Sequence, residues 1–124
     1  MKYVIDTCGW IEWISDGKLA NEFSKFFRAY SNILVPTLIQ FELYRWVERE
    51  KNEEAALSTM GVTEQTTVIE LNTRIALSAA ELSKQYRLAM ADAIIYATAL
   101  DHRAILVTSD KHFKELDAVK YLPK

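Results

Sequence analysis

The residues Tyr3-Val4-Ile5-Asp6-Thr7 restrict the folds open to this chain more than any other stretch. Three consecutive apolar, β-prone side chains give a strand with no polar face. Such a strand needs cover on both sides, as in the middle of a parallel sheet. The run then stops on a carboxylate and a hydroxyl. Open α/β sheets bind ligands outside the carboxyl ends of their strands, which places Asp6 at a functional edge. The remaining sequence must supply parallel partners for this strand, and any further acids for that edge.

Parallel neighbours require crossovers, usually helical, and the chain alternates accordingly. Cys8 to Ile14 reads as one or two helical turns with Trp10 and Trp13 on one face. Asp16-Gly17 is a turn, with Asp16 placed to cap the next helix. Between Lys18 and Tyr30, the residues Leu19, Phe23, Phe26, Phe27 and Tyr30 recur at helical spacing, which predicts that helix. Ile33-Leu34-Val35 is a second strand closed by Pro36. Thr37 is the expected N-cap of a helix running to about Lys51. A second helix, Glu53 to Met60, is expected to end at Gly61. Thr66 to Leu71 is a third strand, and Asn72 caps a helix carrying Ile75, Ala79, Leu82 and Tyr86 on one stripe. Ala91 to Arg103 is apolar nearly all round and predicts a buried helix. Ala104 to Val107 is the fourth strand, and Val119 to Leu122 a short fifth at an edge. The fold class is therefore α/β: a three-layer α/β/α sandwich around a central, mostly parallel sheet of four or five strands.

A chain of 124 residues with 50% hydrophobic content suits one domain, residues 1–124, and no linker or repeat interrupts it. The start carries no basic leader followed by an apolar region, so no secretory signal is expected. No apolar run approaches the roughly 20 residues of a membrane helix. The single Cys8 cannot close an internal disulfide, which points to a reducing cytoplasm. The formal charge of −2 argues against a general binder of duplex DNA.

The topology decides which acids meet. Asp6 ends the first strand and Asp110 comes after the fourth, past Thr108-Ser109; parallel strands put both at one edge. Asp92 opens the helix leading back into the fourth strand. That helix runs antiparallel to the strands, so its start lies at the same edge. Glu42 is in the second turn of the helix after the second strand, and helical side chains lean toward the N-terminus. Asp101, Glu48, Glu50, Glu53, Glu54 and Glu81 fail this test and read as surface charge.

Each of the four has an ordinary alternative. Asp6, Asp92 and Asp110 precede helices or turns, where Asp commonly caps, and Glu42 could face solvent at the edge of an amphipathic face. Jointly, that alternative must place four acids on one rim by chance. Two carboxylates roughly 5–6 Å apart repel by about 3 kcal/mol at an effective dielectric of about 20. Full ionisation of four would cost on the order of 15 kcal/mol, comparable to the stability of a whole domain. Such a cluster protonates in part or holds cations. An all-oxygen site with no His or Cys nearby suits Mg²⁺ or Mn²⁺, which can activate water and neutralise phosphate charge in in-line hydrolysis.

These features together resemble the PIN domain family, and within it the VapC-type toxin ribonucleases. The resemblance spans the whole length. It rests on Tyr3-Val4-Ile5-Asp6-Thr7 with Trp10-Ile11, on Phe41-Glu42-Leu43, on the segment Leu88 to Ala99 around Asp92, and on Leu106-Val107-Thr108-Ser109-Asp110 with the adjoining Lys111-His112-Phe113. It implies a Mg²⁺- or Mn²⁺-dependent endoribonuclease, the toxin of a toxin–antitoxin pair. Asp6, Glu42, Asp92 and Asp110 form its acidic, metal-holding site, with Asp6 and Asp92 the foremost ligands and Thr7 and Thr108 as supporting hydroxyls. It further implies a homodimer, an RNA substrate, and a cognate antitoxin whose C-terminal segment lies across the groove. Residues 51 to 65 match nothing diagnostic.

The other residues narrow the alternatives. His102 and His112 fall in different parts of the layout, which argues against a two-histidine ribonuclease. His102 belongs at a helix C-terminus; His112 lies close enough to the site to touch substrate. Cys8 lacks a base and reads as a packed thiol. Lys18, Lys25, Arg28, Arg45, Lys84, Arg87, Lys111 and Lys114 are the candidates for a phosphate-binding rim. Trp10, Trp13 and Trp46 read as core residues, with an antitoxin groove as their functional alternative. Two competing functions remain. A catalytically silent interaction or RNA-binding module of the same fold has no need of four intact acids. A phospho-acceptor domain needs an acidic pair after the first strand and an acceptor Asp ending the third, whereas Asp6 stands alone and the third strand ends Ile69-Glu70-Leu71.

Overall fold

A computed structural model of the chain describes residues 1–124. Its strands are β1 (Tyr3–Ile5), β2 (Ile33–Pro36), β3 (Thr67–Ile69), β4 (Ile105–Thr108) and β5 (Val119–Tyr121). The helices are α1 (Thr7–Ile14), α2 (Ala20–Ser24), α3 (Thr37–Glu50), α4 (Glu53–Thr63), α5 (Thr73–Tyr86) and α6 (Met90–Asp101), with 3-10 turns at Tyr30–Asn32 and Lys111–Phe113.

All five strands are parallel, in the order β3-β2-β1-β4-β5. β1 is central, as its sequence requires: Val4 lies opposite Leu34 on one side and Leu106 on the other. The edges are the three-residue strands β3 and β5, short enough to limit unwanted pairing. Helices cover both faces in a three-layer α/β/α sandwich. The core joins Val4, Ile5, Ile33, Val35, Leu106 and Val107 of the sheet to Ile39, Leu43 and Val47 of α3 and Ile75 of α5. α6 is enclosed along most of its length, with Ala93, Ile95, Tyr96, Ala97, Thr98 and Ala99 all buried.

The chain runs from β1 outward to β3, then crosses back to β4 and outward to β5. The order therefore reverses between β1 and β4, which is where a doubly wound sheet opens a crevice at its carboxyl edge.

Four local expectations differ from the structure. The helix expected over Lys18 to Tyr30 shrinks to α2, Ala20–Ser24. Aromatic packing captures the rest: Phe27 stacks on Trp13 with centroids 3.9 Å apart, and Phe26 meets Tyr3 edge-on at 5.1 Å. Asp16 takes a left-handed turn (φ 53°), and Leu19, the N-cap residue of α2, provides no side-chain cap. Gly61 does not stop α4, which continues to Thr63. Thr63 is fully buried and receives Gln40 Nε2 of α3 at 3.0 Å, so contact between the two helices retains the last turn. Thr37 is not a cap either, because Pro36 ends β2 and is itself the N-cap residue. The expected Asn72 cap is present, its side chain accepting from Ile75 N at 2.9 Å.

Candidate active site

β1 stops at Ile5 because the next residue caps α1: Asp6 Oδ1 accepts the Thr7 amide at 2.9 Å. The second oxygen, Oδ2, accepts the Thr108 hydroxyl from the end of β4 at 2.7 Å. Thr108 Oγ1 in turn accepts the Asp110 amide at 3.0 Å. One hydroxyl thus ties the ends of the two strands that flank the reversal point. On the other side of Asp6, Thr7 Oγ1 donates to Glu42 Oε1 at 2.6 Å, fixing α3 to the start of α1.

Asp92 lies in the first turn of α6 and is half-buried. Asp110 caps the 3-10 turn after β4, where its Oδ1 accepts the His112 amide at 2.9 Å. The turn brings the imidazole back, so that His112 Nδ1 also sits 2.8 Å from that oxygen. The cleft of about 560 Å³ is lined by Asp6, Glu42, Asp92 and Asp110, with Thr7, Lys111, His112 and Lys124 around them. The four acids singled out in the sequence therefore meet. The ordinary role holds as well for Asp6 and Asp110, which both cap and line the cleft.

Burial sets the electrostatics. Asp6 is 6% exposed, and loss of hydration raises its carboxyl from 3.8 to about 6. The Thr108 and Thr7 hydrogen bonds oppose that rise, and the charges of Asp92 and Glu42 add to it. Asp92 is also raised, by burial first and then by the neighbouring charge of Asp110, while His112 opposes. Burial and the charge of Asp6 hold the Cys8 thiol up, which disfavours the thiolate that a nucleophile needs.

The donor set fits a divalent cation. Ligand atoms of Asp92, Asp110 and His112 all lie within 4.8 Å of one another. Beyond burial, the charges of Asp110 and Glu42 push the Asp92 carboxyl up, repulsion that a cation would relieve. The expectation of a site without nearby His or Cys is corrected. His112 lies against Asp110, and Cys8 Sγ is 3.8 Å from Asp6 Oδ2.

The profile of the PIN domain matches residues 3–119. The chain belongs to the PIN domain family. Solved structures share the fold of this PIN domain. A toxin–antitoxin complex from Klebsiella pneumoniae superposes with a TM-score of 0.83 at 23% identity, covering 96% of each chain. The sarcin–ricin-loop-cleaving toxin VapC20 of Mycobacterium tuberculosis gives 0.77 at 12% identity, over 94% of this chain and 95% of that one. DNA-bound VapBC from Salmonella typhimurium gives 0.78 at 18%, over 99% and 98%. Among curated proteins, none matches the chain in sequence.

Of the rim cations expected in this PIN domain, Lys111 lines the cleft. Arg45 lines an adjoining groove with Ile11, Phe41, Trp46 and Arg49, continuous with the cleft through Thr7 and Glu42. Lys18, Lys25, Arg28, Lys84, Arg87 and Lys114 line neither. Sequence reasoning missed Lys124 and Arg49. The signal for Lys124 was available: Tyr121 ends a strand parallel to β4, so residues after it emerge at the same rim. Trp10 is fully buried and Trp13 partly so, while Trp46 borders the groove. Asp101 is engaged by Arg74 through two contacts of 2.9 Å, and His102 stands at the C-terminus of α6. No helix is long and apolar enough to cross a membrane.

Proposed function

We propose that this PIN domain is a metal-dependent endoribonuclease, the toxin of a toxin–antitoxin pair. The observation that carries the reading is the convergence of Asp6, Glu42, Asp92 and Asp110 at the reversal point of the sheet. The character of the structural neighbours, a toxin and toxin–antitoxin complexes, supports it.

The four carboxylates would hold Mg²⁺ or Mn²⁺. A divalent ion in such a site supplies Lewis-acid chemistry, lowering the pKa of a water and neutralising charge on a phosphodiester. The chain's own residues do the positioning. Thr108 and the Thr7 amide hold the Asp6 carboxylate in one orientation and oppose its protonation. Thr7 sets the orientation of Glu42. Lys111 and Lys124 place positive charge at the rim of an otherwise acidic cleft, where an RNA phosphate must approach.

The same reading includes a cognate antitoxin, for which the groove bordered by Ile11, Phe41 and Trp46 offers aromatic anchors beside the cleft. It also includes a homodimer, measurable by sedimentation, and a cytoplasmic setting.

The deciding experiment is cleavage of RNA by purified protein. Activity should require Mg²⁺ or Mn²⁺, stop with EDTA, and vanish in Asp6→Ala and Asp92→Ala while both variants remain folded. Undiminished cleavage by both variants would refute the assignment.

A further inference from the structure

His112 behaves unlike an ordinary surface histidine. Its side chain is 73% exposed, yet its ring nitrogen sits 2.8 Å from Asp110 Oδ1, the oxygen that also accepts its backbone amide. The turn that carries it is fixed from below. Phe113 is fully buried against Tyr96, with ring centroids 5.9 Å apart, and the Tyr96 hydroxyl donates to the Asp117 carbonyl at 2.8 Å. The exposed imidazole is therefore held beside the Asp110 carboxylate by a turn that Phe113 anchors in the core.

The spacing is close to that of donors around one ion. At metal–ligand distances of roughly 2.1 Å, neighbouring donors lie about 3 Å apart and opposite donors about 4.2 Å apart. The atoms offered by Asp92, Asp110 and His112 fall within 4.8 Å of one another, so a small side-chain adjustment closes them on a single centre.

We infer that His112 is a nitrogen ligand, joining Asp92 and Asp110 in holding the divalent ion. This rests on the metal-binding part of the proposed function, but not on RNA cleavage. Mg²⁺ prefers an all-oxygen shell, whereas ions later in the first transition row accept imidazole more readily. A mixed oxygen–nitrogen site should therefore favour Mn²⁺ over Mg²⁺, and Co²⁺ more strongly still.

The test is pulsed electron paramagnetic resonance of metal-free protein loaded with Mn²⁺ alone. The expected spectrum shows nitrogen coupling that changes to the ¹⁵N pattern when histidine is ¹⁵N-labelled. The coupling should disappear in His112→Gln and persist in His102→Gln. Mn²⁺ affinity should fall by about tenfold or more in His112→Gln, since losing a ligand costs at least as much as losing a residue that orients one, with Mg²⁺ affinity nearly unchanged. Labelled parent protein that binds Mn²⁺ without nitrogen coupling overturns the inference, leaving His112 as a hydrogen-bond partner of Asp110 only; so does failure to bind Mn²⁺. Nitrogen coupling in a protein that cuts no RNA upholds this inference and removes the nuclease reading.

Discussion

The Thr108 hydroxyl donates to Asp6 Oδ2 at 2.7 Å across 102 residues of sequence, joining the ends of two adjacent parallel strands. Through this one bond, β4 restrains a carboxylate at the end of β1 that burial is pushing toward protonation. Thr108 is itself fully buried, so no water can replace the bond once it is lost.

Thr108→Val should therefore raise the Asp6 carboxyl further above about 6, because the hydroxyl is the foremost influence holding it down. The substitution also leaves the Asp110 amide without its acceptor. An unsatisfied buried group costs about 1–3 kcal/mol, which sets the expected loss of stability. Thr108→Ser should restore most of both. Carbon NMR titration of the aspartates in metal-free protein, with urea unfolding beside it, checks the two effects.

Asp6 makes the metal-free fold less stable as pH rises. Its folded value of about 6 lies above its ordinary 3.8, so the folded state binds the proton more tightly. Its contribution is full below about pH 4, declines as pH rises through 6, and is then constant; the decline amounts to about 3 kcal/mol. Asp92 acts in the same direction. Asp6→Asn removes the ionisation. The variant should match its parent near pH 4 and exceed it at pH 7.5 by on the order of 1–3 kcal/mol in chemical denaturation without metal. Equal stabilities at both pH values would show that burial does not strain this carboxylate.

The rim of acids was legible because topology, not side-chain detail, places it. Once Tyr3 to Ile5 requires parallel neighbours, residues that end strands or begin the returning helices must share one edge, and Asp6, Asp92 and Asp110 occupy such positions. The same logic set aside Asp101, which the structure puts at the opposite end of α6, paired with Arg74. What could not be read depends on contacts remote in sequence. The periodic residues from Leu19 to Tyr30 imitate a helix, yet Phe26 and Phe27 answer to Tyr3 and Trp13. His112 is two residues from Asp110, but only the 3-10 turn, pinned by Phe113, directs its ring to the carboxylates.

Two glycines in helices should respond to alanine with opposite signs. A Cβ on Gly9 would lie 2.5 Å from Phe23 Cε1 and 2.6 Å from Ile5 Cγ2, where α1 presses against the strand that carries Asp6. Overpacking of this kind costs about 1–3 kcal/mol, more than the helix propensity gained. Nothing lies within 4 Å of a Cβ on Gly61, which is inside α4. Gly61→Ala should therefore stabilise the protein by about 0.5–1 kcal/mol. Thermal unfolding of the two variants distinguishes the cases; a stabilised Gly9→Ala would mean that α1 and Phe23 can separate freely.

Thr7 offers the sharpest separation of positioning from bulk. Its hydroxyl donates to Glu42 Oε1 at 2.6 Å, and it is the only side chain that links α1 to that carboxylate. Thr7→Val keeps the shape and removes the proton donor, freeing Glu42 to turn toward the adjoining groove beside Arg45. Residues that orient metal ligands typically contribute about 10–100-fold to affinity. Thr7→Val should therefore weaken Mn²⁺ binding by about tenfold in calorimetry, within that range, while Thr7→Ser binds nearly as the parent does. Stability should change little in either variant, since Thr7 is only partly buried and its amide still donates to Asp6. If serine fails to restore binding, the methyl group matters and the hydrogen bond does not; if valine binds normally, Glu42 is not a ligand held by Thr7.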